Sequence, residues 1–184
     1  MNSSTRLRRK GLSIREIVIF AMLGTLMAIS DLLMEGLPNV HLIALFIAAI
    51  TMTYGVKALF PIYVYAFVIG LLSGIDVWWL SYLYVWTILW GILMLVPKHL
   101  PRVPLFILLH VVIVLHGLGF GVLCAPVVAL MWGLDFQGTV AATIAGFPFD
   151  LTHAVGNFAF GFFIYPLTVL LEKLTFGKSR YEKK

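Results

Sequence analysis

The sequence predicts an all-α integral membrane protein, a bundle of six transmembrane helices with both termini cytoplasmic. Three observations predict it. The 184 residues are 61% hydrophobic and 11% charged, with a mean hydropathy of +1.02, whereas soluble domains carry about a quarter charged residues. The apolar runs recur at about the 20-residue length that crosses roughly 30 Å of hydrocarbon. All thirteen Lys and Arg residues fall on one side of a six-span path, and the positive-inside rule makes that side the cytoplasm.

The spans are expected at about 14–34, 39–55, 58–74, 77–96, 104–131 and 141–172, forming a single membrane domain. The N-terminal stretch MNSSTRLRRK resembles the charged start of a signal peptide. The apolar run behind it is about 20 residues long with no A-x-A-like site after it, which favours a retained helix. Turn chemistry marks the breaks: Gly36-Leu37-Pro38-Asn39, Ser73-Gly74, Pro97 through Pro104, and Trp132-Gly133-Leu134-Asp135. The second and third spans meet in a tight hairpin at Tyr54-Gly55-Val56-Lys57. The sixth exceeds the required length, so its first turns are expected outside the bilayer.

Arg6, Arg8, Arg9, Lys10 and Arg15 precede the first span, and Lys57 follows the second. Lys98 and Arg102 separate the fourth and fifth, while Lys173, Lys178, Arg180, Lys183 and Lys184 follow the sixth. Segments 1–13 and 173–184 therefore read as basic cytoplasmic tails. Anionic lipid accounts for their charge without a nucleic-acid partner. Glu35, Asp76 and Asp135 fall on the opposite side, with Asp31 and Asp150 at nearby depths. Cys124 is the single cysteine, which excludes an intramolecular disulfide and suits a small buried residue. The chain has no internal repeat, no Walker A, H-E-x-x-H or G-x-S-x-G sequence, and no Cys/His metal spacing. Energy for uphill transport would have to come from another subunit.

Three constellations interrupt the apolar pattern. In GFPFDLTHAVGNF (146–158) and just beyond it, Gly146, Asp150, His153, Asn157 and Gly161 share one helical face at about 100° per residue. A central acid costs about 2.5–3.5 kcal/mol on insertion scales, so this face turns toward a cavity or other helices. It reads either as interhelical glue or as a ligand-binding wall that also takes in Phe147. In IDVWWLSYLYVW (75–86), Trp79, Tyr82 and Trp86 continue as a stripe to Trp90. An interfacial aromatic belt explains Trp78 and Trp79. It explains the deeper rings less well, and these suit a bulky, partly polar ligand with Asp76 at the rim. Trp90 fits packing. In the first outer loop, MEGLPNVH (34–41), Glu35, Asn39 and His41 flank a Gly/Pro turn that can lid an outward-facing pocket or simply be solvated. His110 and His116 read as bundle-packing histidines, and His99 as a loop residue. Ala21, Gly24, Thr25 and Ala28 give the first span a small face for close helix approach, internal or intermolecular.

Six short spans, and the stretches PNVHLIALFIAAITMTYGVKALFPIYVY, GIDVWWLSYLYVW and GFPFDLTHAVGNF, resemble the substrate-binding S component of an energy-coupling factor vitamin importer. The resemblance covers nearly the whole chain and looks like the cobalamin subgroup. It implies a non-catalytic subunit that captures a vitamin outside and associates with a membrane coupling subunit and two cytoplasmic ATPases. It also implies delivery inward by toppling, with binding built from the outer halves of the last three spans and the first outer loop. The implied substrate residues are Glu35, Asn39, His41, Asp76, Trp79, Tyr82, Trp86, Phe147, Asp150, His153 and Asn157. The implied docking residues are Ala21, Gly24, Thr25 and Ala28, although Ala21-x-x-x-Thr25 and Gly24-x-x-x-Ala28 stand where the family tends to carry Ala-x-x-x-Ala. No resident cofactor or metal is implied. Pantothenate, queuosine-type bases, pyridoxine and hydroxymethylpyrimidine are alternative ligands. A small secondary transporter, an intramembrane enzyme and a structural subunit are rival classes, but no inverted repeat, nucleophile–base pair or three-ligand metal set is recognisable.

Overall fold

The computed structural model describes residues 11–182. Among these the chain is all-helical, with α1 (Ile14–Leu33), α2 (Ile43–Tyr54), a 3-10 turn (Gly55–Ala58), α3 (Leu59–Ser73), α4 (Val77–Leu95), α5 (Arg102–Leu118), α6 (Phe120–Trp132), α7 (Phe136–Gly161) and α8 (Ile164–Phe176). Four helical stretches are long and apolar enough to cross a membrane: Ile14–Leu33, Ile43–Ser73, Val77–Leu95 and Arg102–Trp132. The pair α7–α8, bent by 57°, makes a fifth if counted as one span. That is a membrane-embedded helical protein of four or five candidate spans, where the sequence pattern gives six.

Local chemistry sets the helix ends. Ser13 and Glu16 form a capping box, with Glu16 N–H donating to Ser13 Oγ at 3.2 Å and Ser13 N–H to Glu16 Oε2 at 2.9 Å. Asp76 caps α4, and Asp135 caps α7 by accepting from Gly138 N–H at 2.7 Å. That cap starts α7 at Phe136, five residues before the expected 141. Gly133, at φ 63°, closes α6 in the left-handed conformation that glycine adopts without strain. The expected 104–131 span is divided at Gly119 into α5 and α6, and the expected 141–172 span breaks between Gly161 and Ile164.

Side-chain pairs show how the helices run. Lys57 pairs with Glu16, Phe60 stacks on Phe20, and Tyr65 reaches Asp31. Helices α1 and α3 are therefore parallel neighbours, and α2 must return between them, reversing at Gly55–Ala58. Gly24 is the point of closest approach, since a Cβ there would lie 2.5 Å from Val64 Cγ1. Gly24 and Ala28 are buried in this internal contact, whereas Ala21 and Thr25 face outward. The small face expected to dock a partner is thus divided, one pair serving the fold. The twelve residues of α2 span only about 18 Å, and the partly to fully buried stretch from Asn39 to Leu42 extends that leg inside the bundle. Residues Ile43 to Thr53 are all buried, making α2 the central helix.

Helices α5–α6 lie antiparallel to α7. Arg102 meets Tyr165, His110 meets Phe158, Asn157 meets Ile113, and Asp150 meets Gly121. The start of α1, the 3-10 turn, the start of α5 and the end of α8 gather at one end. There Arg15 donates to the carbonyls of Leu174 and Thr175, while burial and the nearby Arg180 charge hold the Lys98 ammonium below the ordinary lysine range. The expected C-terminal tail is part helix and part clasp. Helix α8 runs to Phe176, and the chain then folds back so that buried Glu172 accepts from Ser179 Oγ (2.8 Å) and Arg180 N–H (2.9 Å). Arg6, Arg8, Arg9, Lys10, Lys183 and Lys184 lie outside the described residues.

Candidate functional site

The 34–42 loop winds inward through two backbone turns, with Leu37 N–H donating to Met34 O (2.8 Å) and Val40 N–H to Leu37 O (3.0 Å). Asn39 sits at φ 57°, a left-handed conformation that Asn tolerates better than most residues. Val40 then seats on Gly156 of α7, where a Cβ would come within 3.3 Å of Val40 Cγ1. This seat drives His41 into the bundle with 8% of its surface exposed.

Around His41 the structure assembles a ring cluster from five helices, α3 to α7. The His41 ring centroid lies 4.5 Å from that of His153 on α7 and 5.7 Å from that of Trp86 on α4. Phe120 packs on His153 at 4.7 Å and on Trp86 at 5.5 Å. His116 at the end of α5 is 5.7 Å from Trp86 and 6.4 Å from His153. Tyr82 extends the cluster outward, 5.2 Å from Trp86 and 5.1 Å from Trp78. Tyr65 adjoins both Tyr82 and Trp86 and donates its hydroxyl to Asp31 Oδ2 at 2.8 Å.

Several buried nitrogens in this cluster have no hydrogen-bond partner among the described residues: His41 Nδ1, His116 Nδ1, Trp86 Nε1 and both nitrogens of His153. His116 Nε2 lies 3.3 Å from the Val85 carbonyl, so an Nε2 proton there leaves Nδ1 as an acceptor. Buried polar groups are ordinarily paired, and leaving one unpaired costs about 1–3 kcal/mol. The cluster therefore presents one indole donor, the His116 Nδ1 acceptor, and nitrogens of His41 and His153 whose role follows their tautomer, inside an aromatic wall. Among the described residues, none of the imidazole or indole rings of the cluster is hydrogen-bonded to a carboxylate. The chemistry suits a ligand with flat apolar surface and several uncharged hydrogen-bonding groups.

The face predicted on α7 points inward, but its members do different work. Asp150 Oδ1 accepts from Gly121 N–H at 2.9 Å, capping α6, which has no side-chain cap of its own. Asn157 Nδ2 donates to Ile113 O at 2.8 Å, tying α7 to α5. Both are interhelical connectors, and His153 is the member left with free nitrogens. On α4, Trp79 donates to Ala66 O at 2.7 Å and packs against Gly70, so it joins α3 to α4. Trp90 likewise donates to Gly55 O. Glu35 lies beside a small cavity of about 120 Å³ with Asp31 and Trp78. Asp76 serves its helix cap, and Phe147 is 52% exposed, turned away from the cluster.

Of the predicted substrate residues, the structure brings together His41, Tyr82, Trp86 and His153. It adds Tyr65, His116 and Phe120, which sequence reasoning missed. His116 carried a signal, a histidine within an apolar run, but its relation to α7 is set by tertiary packing alone. Among the described residues no three His, Cys, Asp or Glu side chains form a group fit to hold a metal ion. No known protein family, curated protein or solved structure matches this chain.

Proposed function

We propose that this protein is the substrate-capturing membrane subunit of a vitamin importer of the energy-coupling factor type. One observation carries the reading: three histidines and Trp86 hold unpartnered nitrogens in a buried aromatic cluster closed by the 34–42 loop. A purely structural core gains nothing from such nitrogens, whereas a ligand site needs polar groups ready to engage. The return of α2 between α1 and α3, with α8 completing the α7 leg, supports a six-span path. Both ends of that path then lie on the Lys/Arg-rich side, which the positive-inside rule makes cytoplasmic. Cobalamin is the ligand favoured by the sequence resemblance. A molecule of that size requires the 34–42 loop to lift from Gly156, making the loop the gate. The outward pair Ala21 and Thr25 is the face for the coupling subunit, through which two ATPases drive toppling and release.

The test is ligand capture by the protein purified in mild detergent, read by mass spectrometry and by absorbance for a corrinoid. A tightly held vitamin is expected, with His153→Phe and Trp86→Ala abolishing retention. Failure to bind cobalamin, pantothenate, pyridoxine, hydroxymethylpyrimidine or a queuosine-type base, even after reconstitution with coupling and ATPase subunits, overturns the assignment.

A further inference from the structure

Away from the ring cluster, the break between α7 and α8 opens a surface groove against α5. Two cavities line up along it, of about 290 Å³ and 270 Å³, sharing Ile107, His110 and Phe162. The first begins at Arg102 and Tyr165, where the Arg102 guanidinium donates to the Tyr165 hydroxyl at 3.2 Å and lies 5.1 Å from its ring centroid. The second continues past Val111 to Leu115, walled by Phe158 and Phe162. The groove is therefore cationic at one end and almost wholly apolar beyond. Its walls are exposed on the bundle surface, Ile107 at 58%, Leu115 at 60% and Phe162 at 64%.

Its dimensions match one leaflet. Arg102 to Leu115 is 13 residues of helix, roughly 20 Å at 1.5 Å per residue. The half-thickness of the hydrocarbon is about 15 Å. The charged end sits where the described lysines and arginines gather, the level at which lipid phosphates meet basic side chains. Among the described residues no carboxylate pairs with Arg102. His110 bonds the Phe158 carbonyl at 2.8 Å, satisfying a backbone group at the helix break that would otherwise face hydrocarbon. The floor is tight: a Cβ on Gly161 would lie 2.4 Å from the His110 ring.

We infer that this groove is a specific site for one anionic phospholipid, with the phosphate at Arg102 and Tyr165 and an acyl chain along His110, Phe162 and Val111. Bulk lipid needs no cationic end on a groove of leaflet depth, and a lipid phosphate supplies the counter-charge that no described carboxylate gives Arg102. The site is independent of the vitamin cluster, which lies on the inner face of the same helices.

The experiment uses the full chain in nanodiscs of equimolar phosphatidylglycerol and phosphatidylcholine, followed by native mass spectrometry of retained lipid. Wild type is expected to keep one phosphatidylglycerol, enriched at least five-fold over phosphatidylcholine. Arg102→Gln removes the headgroup preference while still retaining one lipid. Val111→Trp fills the acyl path and loses the retained lipid of either kind. No retained lipid in wild type, equal retention of the two lipids, or unchanged phosphatidylglycerol retention in both variants overturns the site. If Val111→Trp fails to fold, Val111→Asp, which makes the apolar path polar, replaces it with the same expectation.

Discussion

His153→Phe separates a ligand site from a structural core most directly. The imidazole is 1% exposed, and neither nitrogen has a partner among the described residues. Each orphan nitrogen costs about 1–3 kcal/mol. A phenyl ring keeps the contacts to Phe120 at 4.7 Å and His41 at 4.5 Å. It adds a little volume, and overpacking of that order costs about 1–3 kcal/mol. Two orphan nitrogens together cost about 2–6 kcal/mol, so at the centre of both ranges the variant should be more stable by about 2 kcal/mol, and it should lose ligand binding. Asn157→Leu, one turn along the same face, is the control. Its amide is bonded to Ile113 O, so losing it should destabilise by about 0.5–1.5 kcal/mol. Equilibrium unfolding in mixed micelles of increasing SDS fraction measures both, alongside vitamin retention. A His153→Phe protein that is destabilised yet still binds ligand would refute the reasoning, because the nitrogens would then be satisfied and turned away from the ligand.

Gly24→Leu drives a side chain into Val64 and the Pro61 carbonyl and should cost about 1–3 kcal/mol in the same unfolding assay. Ala21→Leu with Thr25→Leu should stay within about 0.5 kcal/mol of wild type but fail to co-purify the coupling subunit; the reverse pattern would exchange the two faces. Asp150→Ala removes the cap on α6 and should lower stability by about 1 kcal/mol, with ligand affinity changed less than two-fold. A large loss of affinity with unchanged stability would return Asp150 to the ligand wall. Lys98 is held below the ordinary lysine range by burial first and by Arg180 second, so the unfolded chain binds more protons in the window between the two values. Stability should therefore rise as pH climbs from Lys98's folded value toward the ordinary lysine range, and Lys98→Met should flatten that rise.

Much of the architecture was legible because it follows from one-dimensional patterns. Helix ends at Ser13, Asp76 and Gly133 match the expected spans because their chemistry is local, whereas the Asp135 cap starts α7 five residues before the expected 141. The inward face of α7 followed from a 3.6-residue period, and Asp150, His153 and Asn157 are all buried. What the period could not convey is the partner of each group. Asp150 meets a backbone N–H only because α6 begins opposite it, and Asn157 meets a carbonyl only because α5 passes there. The first contact depends on the restart of helix at Phe120, and that break was invisible in a run from 104 to 131 whose polar side chains are only His110 and His116. Gly119 alone marked it, and a glycine inside a membrane helix is an ambiguous sign.

The same break explains how the cluster acquired His116 and Phe120. They stand on either side of Gly119, so the join between α5 and α6 lies against Trp86 and His153. Asp150, capping α6, holds that join in place through Gly121 one turn above His153. The polar stripe on α7 is therefore neither all glue nor all ligand wall. Its bonded members fix the helices whose junction supplies the rest of the site, and His153 is the one member whose hydrogen-bonding capacity those helices leave open.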